Sequence, residues 1–189
     1  MPGPQQPKRV VLLGLGSVLM GDDAFGPWAL KQLEARWELP PEVELLDAGT
    51  PGPELGHYLL GVDALVVFDT VRGNAPGGGA RAAGSVLAYR REQILKHLPM
   101  PRTSPHDPSL KDALLTADLA GDAPREVLLL GVVPERVELG AGLSAAVRGA
   151  WDEVEAAAVA ELRRMGVAVV PRIEPAAAAV WWEAPVTAS

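Results

Sequence analysis

Three residues of this 189-residue chain could do chemistry together: Asp23, Asp69 and His106. Two carboxylates and an imidazole are donors that suit Ni, Zn, Fe or Mn rather than the soft ions that prefer thiolates. Three protein ligands leave further positions on such an ion open to another molecule. Two carboxylates brought together without a cation would push one pKa upward until that group took a proton, and a divalent ion removes the conflict. Each residue also has an ordinary structural use. Asp22 and Asp23 could cap a helix, with Asp22 at the N-cap position, Asp69 could end a strand at a turn, and His106 could stand solvated in a loop.

The elements that must position these residues follow from the pattern of the chain. Val10 to Leu15 reads as a buried strand that runs into a glycine-bearing loop and then into Asp22 and Asp23 at the mouth of a helix. Strand, glycine loop and helix often mark a phosphate site, because glycine lets the backbone approach a ligand and the first helical amides attract anions. Here the loop supplies its own anions. The dinucleotide fingerprint also fails on spacing, since Leu19 stands where a third glycine should follow Gly14 and Gly16. A site that concentrates negative charge expects a cation or a proton.

Phe25, Trp28, Ala29, Leu33 and Trp37 recur at helical spacing, and Pro40-Pro41 stops that helix. Val43 to Leu46 is a second strand ending at Asp47-Ala48-Gly49-Thr50, and residues 53 to 60 hold a short helix. Ala64 to Phe68 is a strand buried on both faces that ends at Asp69. A glycine-rich turn over 72 to 79, a strand over Ser85 to Tyr89 and a helix over Gln93 to His97 follow. His106 lies in the polar, proline-rich loop Pro99 to Pro108, after which Leu110, Leu114 and Leu115 mark the buried side of another helix. Val127 to Val133 is a further apolar strand ending at Pro134-Glu135. Leu143, Val147, Trp151, Val154, Ala158, Leu162 and Met165 then describe one long helix, capped by Gly166, with Val167 to Val170 as a possible last strand.

Strands alternating with helices imply a single α/β domain: a twisted, mostly parallel sheet of about five strands with helices on both faces. In such sheets ligands sit beyond the carboxyl ends of the strands. The loop Gly16 to Asp23, Asp47, Asp69 and Pro134-Glu135 all follow strands, so they should gather at one edge, with His106 in the long polar loop able to join them. Residues 1 to 8 read as a leader, 9 to 170 as the domain, and 171 to 189 as a loosely held Ala/Pro-rich tail in which Trp181-Trp182 stands out.

Composition narrows the choice of partner. A formal charge of −7 argues against nucleic acid and against an anionic membrane. The absence of Cys removes thiol nucleophiles and thiolate metal sites and is compatible with a reducing cytoplasm, where the chain is expected to work. The apolar run near the N-terminus falls short of the about 20 residues that a membrane span needs. His57, in a short apolar helix, and His97, near a helix end, fit structural roles, and no nucleophile elbow surrounds Ser17.

Taken together, the motifs resemble those of the hydrogenase maturation endopeptidases. That family opens with G-x-G-N-x-L-x-x-D-[DE]-G-x-G, matched here by Gly14 to Gly26. It continues with D-x-G-T at Asp47 to Thr50, a strand-ending Asp at Asp69, S-P-H at Ser104 to His106 and L-x-G-V-x-P-E at Leu129 to Glu135, in family order over roughly residues 9 to 170. Ser17 stands where the family usually has Asn, and Ala24 where it usually has Gly. The resemblance implies an endopeptidase that trims the C-terminal extension of the [NiFe]-hydrogenase large-subunit precursor after nickel insertion. It further implies that Asp23, Asp69 and His106 contact nickel that arrives with the substrate, other divalent ions being expected to substitute in vitro. An aspartic-type reaction through the two carboxylates is compatible with the same residues. Two other functions fit parts of the pattern: a nickel-dependent chaperone or sensor that binds the precursor without cutting it, and a nucleotide-binding α/β protein using Asp47.

Overall fold

A computed structural model describes residues 7, 9–73, 80–97 and 110–183. Its centre is a five-stranded sheet in the order β3-β1-β4-β6-β5. These are β1 (Val10–Leu15), β3 (Val43–Gly49), β4 (Ala64–Thr70), β5 (Val86–Arg90) and β6 (Glu126–Val132). The first, third, fourth and sixth strands run parallel, and β5 lies antiparallel on the β6 edge. Two residues, β2 (Trp37–Glu38), pair antiparallel with β7 (Val170–Pro171) as a separate small ribbon.

All six residues of β1 are buried, as an unbroken apolar run requires when both sheet faces are covered. One face carries α1 (Phe25–Arg36), α5 (Ala145–Gly149) and α6 (Trp151–Arg164), packed through Trp28, Leu33, Val154 and Leu162 onto Val10, Leu12, Val66 and Leu130. The other carries α2 (Leu55–Tyr58), α3 (Arg91–His97) and α4 (Leu110–Ala120), packed through Leu55, Ile94 and Leu114 onto Val11, Leu13, Val67 and Leu129. Alternate residues of each strand serve opposite faces, which is why the strands show no polar alternation.

The expected single-domain α/β sheet is therefore what the chain forms, and the differences are local. The apolar phase over Leu143 to Met165 is carried by two helices: Ser144 caps the first through Val147 N–H, and a break at Ala150 precedes the second. Leu115 points outward, and Ala113 and Ala117 join Leu110 and Leu114 on the buried side of α4. Helix α1 ends at Arg36, ahead of the two prolines, because Trp37 turns extended to pair with Pro171. In the Ala/Pro-rich stretch, Trp182 is buried while Trp181 is exposed, and Arg148 holds Glu183 at 2.6 Å. Trp182 is thus fastened to the domain rather than loosely held.

Candidate active site

The first two parallel connections leave in opposite directions. The chain goes from β1 outward to β3, crosses back to β4, and continues away toward β6. The switch point lies between β1 and β4, the place where ligands of such sheets bind beyond the carboxyl ends of the strands. Asp22 and Asp23 follow β1, and Asp69 and Thr70 end β4, so the acids are delivered to the two sides of that switch point.

Glycine brings the loop after β1 close to its neighbours. A Cβ on Gly14 would lie 2.8 Å from the Gly26 carbonyl group, and one on Gly26 would lie 2.2 Å from Leu15 O, so the start of α1 rests directly on the end of β1. Gly16, with φ of +123°, would place a Cβ 1.8 Å from Asp23 O. Its amide donates to Gly49 O at 2.8 Å, joining this loop to the end of β3. These glycines serve contact between backbone segments, and the space a phosphate would need is filled by the chain's own turn. Ala24, where a glycine is usual in the resembling family, has φ of −71°, a right-handed conformation that needs no glycine.

The adjacent acids do different things. Asp22 is fully buried. Its Oδ2 accepts from Glu135 N at 2.8 Å, Arg136 N at 3.0 Å and Ser144 Oγ at 2.9 Å, and its Oδ1 accepts from Ser144 N at 2.6 Å. Burial pushes its carboxyl upward, but three backbone N–H groups and the Ser144 hydroxyl outweigh it and hold the group below its ordinary value. Asp22 makes no side-chain cap on its own turn, contrary to its expected N-cap role. It ties that turn to the segment after β6 and to the start of α5.

Asp23 faces the other way. Ser17 N–H donates to its Oδ2 at 2.7 Å, and the Thr70 hydroxyl donates to its Oδ1 at 3.2 Å. The Thr70 amide in turn donates to Asp69 Oδ1 at 2.8 Å. One residue at the end of β4 therefore contacts both carboxylates and brings them to a common place. Asp23 is 9% exposed and Asp69 6%, so both are largely removed from solvent. Asp47 is exposed and its Oδ1 accepts from Gly49 N at 3.0 Å, a plain Asx turn at the sheet edge. Glu135, which follows β6, reaches the carboxyl ends of the strands, where its backbone N–H donates to Asp22 Oδ2.

His106, with the other residues 98–109 and the glycines at 77–79, lies outside the described residues, so the expected loop Pro99 to Pro108 does too. Among the described residues no group of three or more His, Cys, Asp or Glu could hold a metal ion, and no helix is long and apolar enough to cross a membrane. The carboxylate pair fits a hard or borderline divalent ion as part of a larger ligand set. Thr70 and Ser144 were not singled out from the sequence. The signal for Thr70 was present, a hydroxyl residue directly after a strand-ending acid. Ser144 contacts Asp22 across 122 positions, and no local pattern reports that.

Fold and site define an α/β protein whose ligand-binding edge carries carboxylates where related architectures carry a phosphate cradle. The hydrogenase maturation protease family matches residues 28–161. The chain belongs to that family and is an endopeptidase. It is 33% identical over 166 residues to the hydrogenase 2 maturation protease of Escherichia coli, covering 87% of this chain and 96% of that one. It is 35% identical over 166 residues to the hydrogenase expression/formation protein HupD of Rhodobacter capsulatus, covering 87% and 76%. The solved structure of the hydrogenase maturating endopeptidase HybD from E. coli superposes with a TM-score of 0.77 at 32% identity, over 87% of this chain and 98% of that one. The [NiFe] hydrogenase maturation protease HycI from Thermococcus kodakarensis shares the fold, with a TM-score of 0.59 at 23% identity over 84% and 94%.

Proposed function

We propose that this endopeptidase removes the C-terminal extension of a [NiFe]-hydrogenase large-subunit precursor once nickel is in place, and that Asp23, Asp69 and His106 contact the nickel carried by that substrate. The observation that supports this reading best is the pair of hydrogen bonds from Thr70, its amide to Asp69 and its hydroxyl to Asp23. Two nearly buried carboxylates held to one residue repel each other, and a cation delivered by the substrate relieves that repulsion. Asp23 Oδ1 accepts from the Thr70 hydroxyl and Oδ2 from Ser17 N–H, and each carboxylate oxygen has a second acceptor direction to offer an ion. His106, whose imidazole is a donor for the same ions, is the third residue of the proposed set. The same carboxylates are the groups able to take a proton from an attacking water.

Metal contact then acts as a checkpoint in the cytoplasm, where the precursor is assembled. A precursor without nickel lacks the shared ligand, and a positioning loss of about 3 kcal/mol slows cleavage more than a hundredfold. The test incubates the protein with nickel-loaded and nickel-free precursor and follows the mass of the C-terminus. Only the loaded form should be shortened at an appreciable rate, and equal cleavage of both ends the checkpoint. His106→Ala should abolish processing while leaving the melting temperature near that of the wild type.

A further inference from the structure

Beside the carboxylates, the loop after β1 is laced to the loop after β6. Gly21 N donates to Gly140 O at 2.8 Å, Gly140 N to Leu19 O at 2.9 Å, and Asp22 N to Arg136 O at 3.1 Å. Met20 and Gly140 thereby form a parallel bridge. Because Leu19 O accepts from Gly140 N, the backbones of Leu19 and Leu139 lie side by side, and the two leucines are 58% and 83% exposed. Two leucines are thus held next to each other in water on a stretch that ends, four residues after Leu19, at Asp23. The four bonds to the buried Asp22 carboxylate fix the same two loops, so this pair stands on a rigid base rather than on loop tips.

We propose that Leu19 and Leu139 form an apolar ledge that receives a nonpolar side chain of the large-subunit precursor next to the bond to be cut, and so help select the substrate. The proposal rests on the reading of Asp23 and Asp69 as the cleavage site. Its occupant follows from that continuity: an endopeptidase acts on a chain that must extend past its cleavage site, and the ledge adjoins the Asp23 loop. Burying exposed leucine is favourable wherever a partner side chain covers it. Leu119 and Ile173 are even more exposed, at 91% and 99%, but lie on α4 and on the stretch after β7, away from the acids, and serve as controls.

The experiment measures KM and kcat for nickel-loaded precursor with the wild type, with Leu19→Ser/Leu139→Ser, and with Leu119→Ser/Ile173→Ser. The ledge variant should raise KM about tenfold or more, keep kcat within about twofold, and melt like the wild type, since it removes only exposed apolar surface. The control pair should change neither constant. An unchanged KM for the ledge variant, a fall in kcat alone, or an equal KM rise in the control pair overturns the proposal. Failure of the wild type to cleave would sink the protease reading and leave the ledge decidable by binding. In that case weaker capture of the precursor by the ledge variant than by the wild type supports the ledge, and equal capture overturns it.

Discussion

Replacing Asp22 by Asn tests the claim that this acid is a fastener and not a helix cap. In the wild type, Oδ2 serves three donors and Oδ1 serves Ser144 N at 2.6 Å. An amide oxygen can take over the first role, but the amide NH2 then faces Ser144 N–H, donor against donor. A hydrogen bond to a charged group contributes about 1.5–3 kcal/mol, and a stranded buried N–H adds a desolvation cost, so the loss should be about 3–4 kcal/mol. For a chain of this length each kcal/mol moves Tm by about 2–4 °C, which gives a fall of roughly 6–16 °C at pH 7. The pH dependence carries the sign. A carboxyl held below its ordinary value contributes stability that is complete above the unfolded pKa and is lost as pH falls through the folded one. The gap between wild type and Asp22→Asn should therefore be full at pH 7 and shrink below about pH 4. Melting curves followed by circular dichroism at both pH values decide it, with Asp47→Asn as the exposed control. A shift of less than 1 °C at pH 7, or a gap that grows toward acid, refutes the reasoning.

Three other expectations can be measured on the same protein. Thr70→Val removes one hydroxyl and keeps the amide bond to Asp69, so it should lower kcat for nickel-loaded precursor about tenfold with little change in Tm, and Thr70→Ser should restore most of it; equal loss in both variants contradicts the bridging role. Gly16→Ala places a methyl 1.8 Å from Asp23 O at a φ of +123°, and clash and strain together should cost about 3 kcal/mol or more, seen in urea titration as a lower midpoint. Glu161, buried among Arg90 and Arg164, is pulled down to about 2: burial alone would raise it, but the hydrogen bonds from both arginines prevail. Its contribution is complete above about pH 4.5 and is lost toward pH 2; with the arginines half exposed it amounts to about 2 kcal/mol, so Glu161→Gln should narrow the stability difference between pH 6 and pH 2.5 by roughly that amount.

The parts of the fold that were legible share one physical origin. Val10 to Leu15, Ala64 to Phe68 and Val127 to Val133 are continuous apolar runs, and strands covered on both faces have no other composition available. The gathering of Asp23 and Asp69 at one edge followed from the rule that chain segments after parallel strands converge. The break between α5 and α6 escaped because the apolar phase survives it: Val147, Ala150, Trp151 and Val154 all stay buried across Gly149. The fate of Trp37 escaped because its partner is Pro171, more than a hundred positions away. Leu115 shows the limit of spacing on a short helix, where two adjacent leucines cannot both face the sheet.

Asp22 and Asp23 show why such patterns name a site more readily than they assign its roles. The two are chemically identical neighbours, and a residue-by-residue reading gives both the same options. What separates them is that consecutive residues of a tight turn point in different directions. One carboxylate meets three amides and a hydroxyl of the neighbouring loop and is satisfied there, fully buried. The other meets the end of β4, where Thr70 and Ser17 hold it in place and Asp69 stands on the same residue's amide. Saturation of the first is what makes the second available. An acid that is fully buried and held by four hydrogen bonds is committed to holding loops together, whereas an acid held by two bonds beside another acid retains capacity for a cation. The division predicts opposite signatures: substitution of Asp22 should appear first in Tm, and substitution of Asp23 by Asn first in turnover, with Tm little changed, since the Asn oxygen can still accept from Ser17 N–H and its NH2 can donate to the Thr70 hydroxyl. Loss of several degrees on Asp23→Asn with turnover retained would assign the structural role to the wrong member of the pair.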